Sequence, residues 1–520
     1  PAQAGAQLTG AANWMAPAFA RGRLYAGATG RGVARFVSGL VLALCAATAS
    51  AQLRPTQTFE YDPVGNLTQS TDALGRSTQQ TYDLLSRPRL TTQPAPVVGG
   101  PSPLVKTDYN PAGALTTVTD PRALATKYTT TGLGDLTQQV SPDTGTTQYT
   151  YDLSGSLKTR RDARGKTTTY TYDALNRLTK AVYADGTLTT YVYDEGSAIG
   201  QLTRILDPGP VTSTYTYDLQ GRTLTRTQTV MNGTVALTHT QTHSYAPITG
   251  QRTRSTYPSG RILTLDYHPT TKEVQTVSFD GTVVAGNLLW HATQALPKSL
   301  RLANGQTWAS TLDIEGRLTS YTLGSAQITL TWDAAHRLTS LTHSTDPTQN
   351  QTYTYDNLDR ITGYSSTPRS QAFTYDLTGN LTSKFDRVGT GLGQTDTYTI
   401  APTSNRLTQI ANLGVGYGYD LAGNRTTTPN IVHTYNAKGR LIKSVVVEGS
   451  ITKTSNYLYN ALQQRVRKSG APGFNIYVYD DAGQLMGEYD NLGRAKKEYV
   501  WLPAPDGSPN AATHRPIAVI

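Results

Sequence analysis

Sulfur, charge and phenylalanine are scarce in this sequence. Its 520 residues include one cysteine, three methionines and seven phenylalanines, and 16% of them are charged. The one cysteine, Cys45, lies in an apolar N-terminal stretch. The remainder of the chain can therefore form no disulfide, offers no thiol nucleophile and cannot build a thiolate zinc site. The 32 tyrosines far outnumber the phenylalanines. A tyrosine ring is apolar, but its hydroxyl group needs water or a polar partner. The excess of tyrosine therefore favours a sheet that faces solvent or a wide cavity over a β-sandwich with a dry core.

Helical periodicity and long apolar runs are missing too. No segment carries apolar residues at helical spacing over several turns. The apolar stretch 36–47 is about 12 residues long, whereas a membrane-spanning helix needs about 20. Basic residues precede this stretch and Ala49-Ser50-Ala51 follows it, which predicts a Sec signal peptide within residues 1–51, cleaved after Ala51. The protein is then expected to be secreted or held at the cell surface; an uncleaved anchor is the alternative.

One short motif, Tyr-Asp-x-x-Gly-Arg/Asn-Leu-Thr, is abundant. Its copies are mostly about 20–24 residues apart, a spacing typical of a repeat architecture. Variants begin at Tyr109, Leu312 and Trp332. Clear copies begin at Tyr61, Tyr82, Tyr151, Tyr172, Tyr217, Tyr355, Tyr375, Tyr419, Tyr435, Tyr459, Tyr479 and Tyr489.

Each copy predicts a β-hairpin. In the copy at 169–179, Tyr170 and Tyr172 alternate with threonine, so both rings lie on one face of a strand. Asp173 then begins a turn, because an aspartate carboxylate accepts backbone N–H groups two residues on. Glycine at the fourth turn position suits a type I turn and a left-handed backbone. The residues predicted to form these corners are Tyr61, Asp62, Gly65, Tyr151, Asp152, Gly155, Tyr172, Asp173, Tyr217, Asp218, Gly221, Tyr375, Asp376, Gly379, Tyr419, Asp420, Gly423, Tyr479, Asp480 and Gly483.

A second turn, such as Asp185-Gly186, follows the returning strand, and no helix separates the hairpins. One hairpin is marginally stable alone, whereas stacked hairpins form a continuous sheet. The sequence therefore predicts an all-β fold in which tandem hairpins form a continuous, curved or spiralling antiparallel sheet. The predicted divisions are an N-terminal extension with the signal peptide at 1–51, first repeats with a Pro/Gly-rich linker or loop at 52–103, repeats at 104–222, degenerate repeats at 223–311, regular repeats at 312–499 and a final segment at 500–520.

Positive charge follows the repeat. The net charge is +10, and removing residues 1–51, with four arginines and no acidic residue, leaves 42 basic and 36 acidic residues, or +6. Arginines recur beside the turn aspartates, which predicts a structural ladder of turn-flanking pairs. No run of lysine or arginine clusters as a nucleic-acid surface requires, so no nucleic-acid partner is expected. The recurring arginines are Arg76, Arg177, Arg222, Arg317, Arg337 and Arg440.

The sequence contains no motif for catalysis or metal binding. His239 and His243 have a metal-binding spacing only on a helix, and here they lie in a strand pattern. One aspartate per turn supplies too few oxygens for calcium, and no Gly-x-Ser-x-Gly elbow or Gly-rich phosphate loop occurs. We expect no catalytic residues, no cofactor and no metal. The candidates for stacking on sugars, with packing in the wall as the alternative, are Trp290, Trp308, Trp332 and Trp501.

The repeated Tyr-Asp corners of residues 52–499 resemble those of the Rhs/YD-repeat family. The tail segments 477–490, 498–502 and 515–519 are similar to the opening of the family's Rhs-associated core. The resemblance implies that the repeats wind as a β-sheet spiral into a hollow shell. In that family the shell holds a toxic C-terminal domain, which the core releases by self-cleavage at an aspartate-containing motif. Neither that motif nor a toxin domain precedes Ile520, so we expect a shell fragment, truncated where the core begins and open rather than closed.

The sequence supports two functions. The first is a secreted structural protein that forms part of a shell carrying a polymorphic toxin, with the toxin and the autoprotease core absent here; its partner would be the toxin polypeptide. The second is a cell-surface or wall-associated module that binds carbohydrate. We do not expect an enzyme, and we expect no transmembrane span in the mature chain.

Overall fold

The structure is a computed structural model that describes residues 56–209, 211–414, 416–471, 473–508 and 515–520. Within these ranges the chain forms 42 β-strands, and its only helical segments are two 3-10 turns, Pro347–Gln349 and Ala411–Leu413. The predicted all-β fold is confirmed. The predicted signal peptide lies outside the described residues.

The strands are short and follow one another closely along the chain. The first fourteen are β1 Thr58–Tyr61, β2 Leu67–Thr71, β3 Ser77–Tyr82, β4 Pro88–Thr92, β5 Leu104–Tyr109, β6 Leu115–Thr119, β7 Ala125–Thr130, β8 Leu136–Ser141, β9 Gly145–Tyr151, β10 Leu157–Arg161, β11 Thr167–Tyr172, β12 Leu178–Val182, β13 Leu188–Tyr193 and β14 Leu202–Asp207. The next fourteen are β15 Val211–Tyr217, β16 Thr223–Asn232, β17 Val235–Tyr245, β18 Arg252–Thr256, β19 Ile262–Tyr267, β20 Val274–Phe279, β21 Thr282–His291, β22 Gln294–Leu302, β23 Thr307–Leu312, β24 Leu318–Leu323, β25 Ala326–Trp332, β26 Leu338–His343, β27 Gln351–Tyr355 and β28 Ile361–Ser366. The last fourteen are β29 Arg369–Tyr375, β30 Leu381–Val388, β31 Gln394–Ile400, β32 Leu407–Ile410, β33 Gly418–Tyr419, β34 Arg425–Thr428, β35 Ile431–Tyr435, β36 Leu441–Glu448, β37 Ile451–Tyr459, β38 Arg465–Gly470, β39 Asn475–Tyr479, β40 Leu485–Tyr489, β41 Ala495–Trp501 and β42 Pro516–Val519.

Each strand pairs in antiparallel fashion with the next strand along the chain. This meander is continuous from β1 to β32 and again from β33 to β42, and the Gln409–Gly416 bridge joins the two parts. The Pro/Gly-rich segment 88–103 does not interrupt the sheet, because β4 pairs with β5 through Leu90 and Lys106. Residues 93–103 of that segment therefore form a long hairpin loop between β4 and β5. No pairing among the described strands joins the two ends of the meander, so the sheet is not closed.

The alternation of strand direction sorts the turns onto two rims. The Tyr-Asp corners follow odd-numbered strands, as the corner 152–156 follows β9, except for the copy at Tyr489, which follows β40. The second turns follow even-numbered strands, as the turn 162–166 follows β10. Successive antiparallel strands end on opposite edges of a sheet. We call the edge with the Tyr-Asp corners the corner rim and the opposite edge the return rim.

The ribbon winds back over itself after 25 strands. The return-rim turn 72–76, after β2, contacts the corner 356–360, after β27, through Arg76 and Asp359. Two later contacts repeat this interval: the turn after β6 meets the corner after β31, and the turn after β10 meets the corner after β35. With neighbouring strands about 4.8 Å apart, 25 strands give a perimeter of about 120 Å and a diameter of about 38 Å. We call β1–β25 the first winding and β26–β42 the second winding.

The dry core lies where the second winding covers the region of degenerate repeats. Leu263 and Phe279 of the first winding share a cluster with Met486 and Val500 of the second winding. A neighbouring cluster joins Val211, Val230 and Leu237 to Ile476, Val478 and Tyr489. The longest strands of this region are β16, β17 and β21, at 10, 11 and 10 residues. In this region alternating apolar side chains contribute more to stability than regular corners do. The reason is that apolar surface buried between the two layers stabilises the wall by about 25 cal/mol per Å².

Candidate functional site: the corner ladder and the seam

Each Tyr-Asp corner is a type I turn followed by a left-handed residue. At Asp173 the Oδ1 atom accepts the backbone N–H groups of Leu175 at 3.0 Å and Arg177 at 2.8 Å. The Asp173 N–H donates to the Arg177 carbonyl at 3.0 Å, and Asn176 takes the left-handed position with φ 62°. The pairing register slips by one residue between Thr171 and Tyr172. This is the geometry of a hairpin with a bulge.

The second carboxylate oxygen of the corner pairs with the flanking arginine. The Nε of Arg177 donates to Asp173 Oδ2 at 2.7 Å. The backbone N–H of Arg177 is the first cause that holds the pKa of Asp173 below its ordinary value. Equivalent ion pairs join Arg76, Arg222, Arg317 and Arg337 to the aspartate four residues earlier. The exception among the predicted arginines is Arg440, whose corner begins with Asn436 and is held by the Arg440 N–H on Asn436 Oδ1 at 2.9 Å.

At many corners the tyrosine fastens one repeat to the preceding one. The Tyr172 hydroxyl donates to the carbonyl of Leu157 at 3.0 Å, and the Tyr193 hydroxyl donates to the carbonyl of Leu178 at 3.0 Å. The guanidinium of Arg177 lies 4.5 Å from the centre of the Tyr193 ring, in the next repeat. The corner, its arginine and the following tyrosine therefore form a continuous ladder along the rim. The same hydroxyl-to-carbonyl bond is made by Tyr82, Tyr151, Tyr217, Tyr267, Tyr355, Tyr375, Tyr419 and Tyr479.

The predicted corner residues occupy equivalent places around the winding. The predicted tyrosines end odd-numbered strands, and the predicted aspartates each accept the N–H groups two and four residues on. The predicted glycines have positive φ, from 76° at Gly221 to 101° at Gly379. All of these residues lie on the corner rim. They are brought together as a row and not as a pocket.

Tryptophan replaces tyrosine at some positions of the ladder. The indole N–H of Trp332 donates to Leu318 O at 2.8 Å, that of Trp501 to Leu485 O at 2.7 Å, and that of Trp290 to Val274 O at 2.8 Å. These bonds span 14 to 16 residues, like the tyrosine bonds. Trp290 is buried at 9% exposure within the core. Sequence reasoning noted the Trp332 variant of the motif, yet it missed that the indole N–H performs the hydroxyl's task.

The remaining candidate for stacking on sugars, Trp308, also packs in the wall. Its ring is stacked on Tyr321, with ring centres 6.4 Å apart, and it contacts two of the apolar clusters. Sugar binding by Trp290, Trp308 and Trp332 stays a prediction, to which their packing adds no support.

Arginines of the return rim join the first winding to the second. Arg122 donates to the carbonyl oxygens of Ser404 at 2.7 Å and Ala401 at 2.8 Å. Arg164 donates to the carbonyl oxygens of Asn436 at 3.0 Å and Ala437 at 3.1 Å. Each bond of a charged donor is worth about 1.5–3 kcal/mol. We call this contact line between the return rim of the first winding and the corner rim of the second winding the seam.

Carboxylates and amides complete the seam. Asp143 Oδ1 accepts the backbone N–H of Asn405 at 2.6 Å, and the Asp143 carbonyl accepts the Arg406 Nε at 2.9 Å. In the later part the seam becomes an overlap of two layers, where Gln228 donates to Tyr477 O at 3.0 Å and Gln241 donates to Tyr479 O at 2.9 Å. No local sequence pattern indicates these partners, because they lie about half the chain apart.

The two histidines of the sequence analysis lie in this overlap. His239 and His243 share the buried face of β17, as their strand pattern predicted, with 2% and 5% exposure. The His239 ring centre is 4.6 Å from that of Tyr489, and His243 Nδ1 lies 2.9 Å from Ser255 Oγ. In the described part of the chain no group of three His, Cys, Asp or Glu residues could hold a metal ion. No helix of the described residues is long and apolar enough to cross a membrane.

Comparison with known proteins places these features in a family. A family model described as Teneurin YD-shell matches residues 307–499, and one described as RHS Repeat matches residues 61–96 and 154–188. The chain belongs to the Rhs/YD-repeat family. The sequence-based assignment to that family is thus confirmed. No curated protein matches the chain.

Solved structures share the fold of this Rhs/YD-repeat chain. A mutant Tc holotoxin pore of Photorhabdus luminescens is 15% identical with a TM-score of 0.69, over 86% of this chain and 30% of that one. The TcdB2-TccC3 crystal structure is 15% identical with a TM-score of 0.69, over 88% and 32%. TcdB2-TccC3 without its hypervariable C-terminal region is 14% identical with a TM-score of 0.63, over 86% and 30%. The chain thus spans about a third of the length of these relatives.

Proposed function

We propose that this chain forms part of the wall of an exported β-sheet shell that encloses a toxin polypeptide. The observation that carries the proposal is the seam. A ribbon whose two windings are fastened to each other at an interval of 25 strands surrounds a space, and two of its three buried apolar clusters join the windings where they overlap. The wall supplies structure and no chemistry of its own.

The cargo and the export route rest on weaker support than the wall. The solved relatives are named as parts of a holotoxin or as TcdB2-TccC3 complexes, and this agrees with a toxin as cargo. The predicted signal peptide agrees with export. The estimated diameter of about 38 Å, less about 10 Å for side chains lining the wall, leaves room for an extended or partly folded polypeptide.

A protease-protection experiment tests enclosure. An unstructured reporter polypeptide is fused after Ile520 of the full chain, and its cleavage is followed by mass spectrometry. We expect its half-life to exceed that of the free reporter by about tenfold or more, because the wound wall restricts the access of a protease to the space that it surrounds. A fused reporter that is cleaved as fast as the free one contradicts enclosure.

Matched variants tie protection to the seam. Arg122→Ala with Arg164→Ala removes two arginines that join the windings, so protection should be lost. Arg369→Ala is the control, since its side chain is 46% exposed and pairs with Asp386 within the second winding. Protection that survives the loss of both seam arginines would show that enclosure does not depend on the seam.

A further inference from the structure

The overlap of the two windings contains a group of buried titratable side chains. It is centred on His239 and His243 of β17. Between them Gln241 donates to Tyr479 O at 2.9 Å, which is one of the bonds that join the windings. The two imidazoles therefore flank a contact that must break if the windings separate.

The surroundings of His239 suit only the neutral ring. Neither ring nitrogen has a hydrogen-bond partner of good geometry within the described residues; the Leu237 backbone raises the pKa of the ring, but burial outweighs it. The nearest ring is Tyr489, whose hydroxyl is already bonded to Glu498 Oε1 at 2.8 Å. The other Glu498 oxygen accepts the Ser259 hydroxyl at 2.9 Å and lies 3.4 Å from Arg261. The carboxylate closest to this ring is thus engaged by other groups.

His243 faces more positive than negative charge. Its Nε2 is 3.5 Å from Asp481 Oδ2, the one carboxylate beside it. Burial is the first cause that lowers its pKa, to about 4, and the positive charges of Arg252 and Arg226 lower it further. The neighbouring Asp480 has its pKa raised by burial, so it is a poor counter-ion.

From this arrangement we propose that the overlap is an acid-operated latch: protonation of His239 and His243 separates the second winding from the first along β17, while the arginine-held part of the seam stays closed. This inference concerns the wall itself and holds whether or not the wall encloses a toxin. Two imidazolium groups beside Arg226 and Arg252 would leave an excess of buried positive charge at the joint. Water reaching the separated faces hydrates both rings and restores their ordinary affinity for protons.

The sign of the effect follows from the two pKa values. Burial lowers the pKa of His239 to about 4, as it does for His243, from 6.5 in water. The closed state is therefore favoured above pH 6.5 and loses that advantage as the pH falls toward 4. Between pH 7 and pH 5 each histidine should raise the opening equilibrium by about 20-fold, and the two together by about 400-fold.

Hydrogen exchange of the full chain measures the latch. Peptides covering 235–245 and 475–490 are compared at pH 7 and pH 5 after correction for intrinsic exchange. We expect their opening to rise by about two orders of magnitude or more at pH 5. Peptides around Arg122 and Asn405, which join the windings and contain no histidine, should keep their protection. Simultaneous loss of protection along the whole seam would overturn the proposal.

Variants separate the latch from general acid sensitivity. His239→Phe with His243→Gln should leave opening at pH 5 within a few-fold of its value at pH 7. If that pair fails to fold at pH 7, His243→Gln alone should retain only about a 20-fold rise. His433→Gln is the matched control, because His433 also lies 3.0 Å from a serine hydroxyl, that of Ser444, and burial lowers its pKa, yet it lies outside the overlap contacts. It should behave as the parent chain does.

One further variant predicts a change of opposite sign. Asp481→Asn removes the carboxylate that faces His243 and so lowers the affinity of the closed state for protons. Opening at pH 4, where His243 of the closed parent chain is about half protonated, should then exceed that of the parent chain by up to about twofold. Opening in the histidine variants equal to that of the parent, or an Asp481→Asn variant that opens less, would overturn the latch.

Discussion

Arg164 and Asn436 lie 272 residues apart in the sequence, and Arg164 Nη1 donates a hydrogen bond to the Asn436 carbonyl oxygen at 3.0 Å. The Asp162 carboxylate accepts a hydrogen bond from Nη2 of the same guanidinium at 2.6 Å. A return-rim turn thus presents an arginine already held in place to a backbone carbonyl of the next winding. In a ribbon of hairpins the sheet twist accumulates from strand to strand and does not by itself determine one curvature. The seam contact is therefore what sets the curvature at which the two windings meet.

Replacing the seam arginine should loosen the second winding locally. Arg164→Ala removes two hydrogen bonds across the seam and leaves the carboxylate of Asp162, which is 9% exposed, without its cation. We expect a loss of about 2–4 kcal/mol in local stability, since breaking a buried charged pair leaves one charge uncompensated. Hydrogen exchange of the corner 436–440 measures it. Arg369→Ala should lie within about 1 kcal/mol of the parent, as exposed pairs do; equal effects of the two changes would contradict the seam.

The left-handed corner position predicts opposite effects of exchanging glycine and alanine. At Gly65 φ is 91° and nothing lies within 4 Å of an added Cβ, so Gly65→Ala should cost about 1–2 kcal/mol from backbone strain alone. Ala123 has φ 63° in an equivalent position, and Ala123→Gly should stabilise by up to about 1 kcal/mol. Urea denaturation of both variants measures the two changes. Shifts of the same sign would contradict the turn assignment.

The aromatic donor of the ladder should be exchangeable between tyrosine and tryptophan. Tyr172→Phe removes the bond to Leu157 O and should cost about 0.5–1.5 kcal/mol. Tyr170→Phe is its control, because the Tyr170 hydroxyl takes no part in these bonds. Trp332→Tyr keeps a donor toward Leu318 O, so it should be less destabilising than Trp332→Phe in thermal unfolding. A Trp332→Phe variant as stable as Trp332→Tyr would show that the indole N–H contributes nothing.

The corner aspartates predict acid sensitivity in a lower pH range than the latch. Backbone N–H groups hold the pKa of Asp173 and Asp490 below the ordinary 3.8, with Arg177 and Arg494 as the first causes. A lowered folded-state pKa contributes stability that is fully present above the unfolded value and is lost as the pH falls below it. Hydrogen exchange of the corner 173–177, which lies outside the overlap, should therefore show corner stability constant from pH 7 to about 5 and falling below about pH 4. Corner loss that begins near pH 6 would contradict this origin.

The repeat motif predicts the local structure of each hairpin, but it predicts little of how the hairpins wind and pack together. Tyrosine and threonine alternation, the turn aspartate and the following glycine define each hairpin within about ten residues, so the all-β meander follows from the sequence. The arginine beside the turn aspartate also indicated the ion pairs. The exception at Arg440 follows from a single change, Asn436 in place of aspartate.

Long-range features could not be deduced in the same way. The interval of 25 strands depends on the summed twist of many hairpins, and no single residue encodes it. The degenerate repeats at 223–311 have no evident reason until the second winding is seen to cover them. The environment of His239 could likewise not be predicted from the sequence, because its neighbour Tyr489 lies 250 positions later.

The distance between two seam corners tests the winding most directly. Thr144 and Thr403 are both exposed, and they flank the Asp143–Asn405 contact. Replacing both with cysteine in the chain from Gln52 onward, which has no other cysteine, allows paired spin labels. We predict a narrow distance distribution below about 25 Å, since each site is within one or two residues of the contact. An unwound ribbon would separate the two corners by 23 strands, or about 110 Å, and the absence of any short distance would contradict the wall.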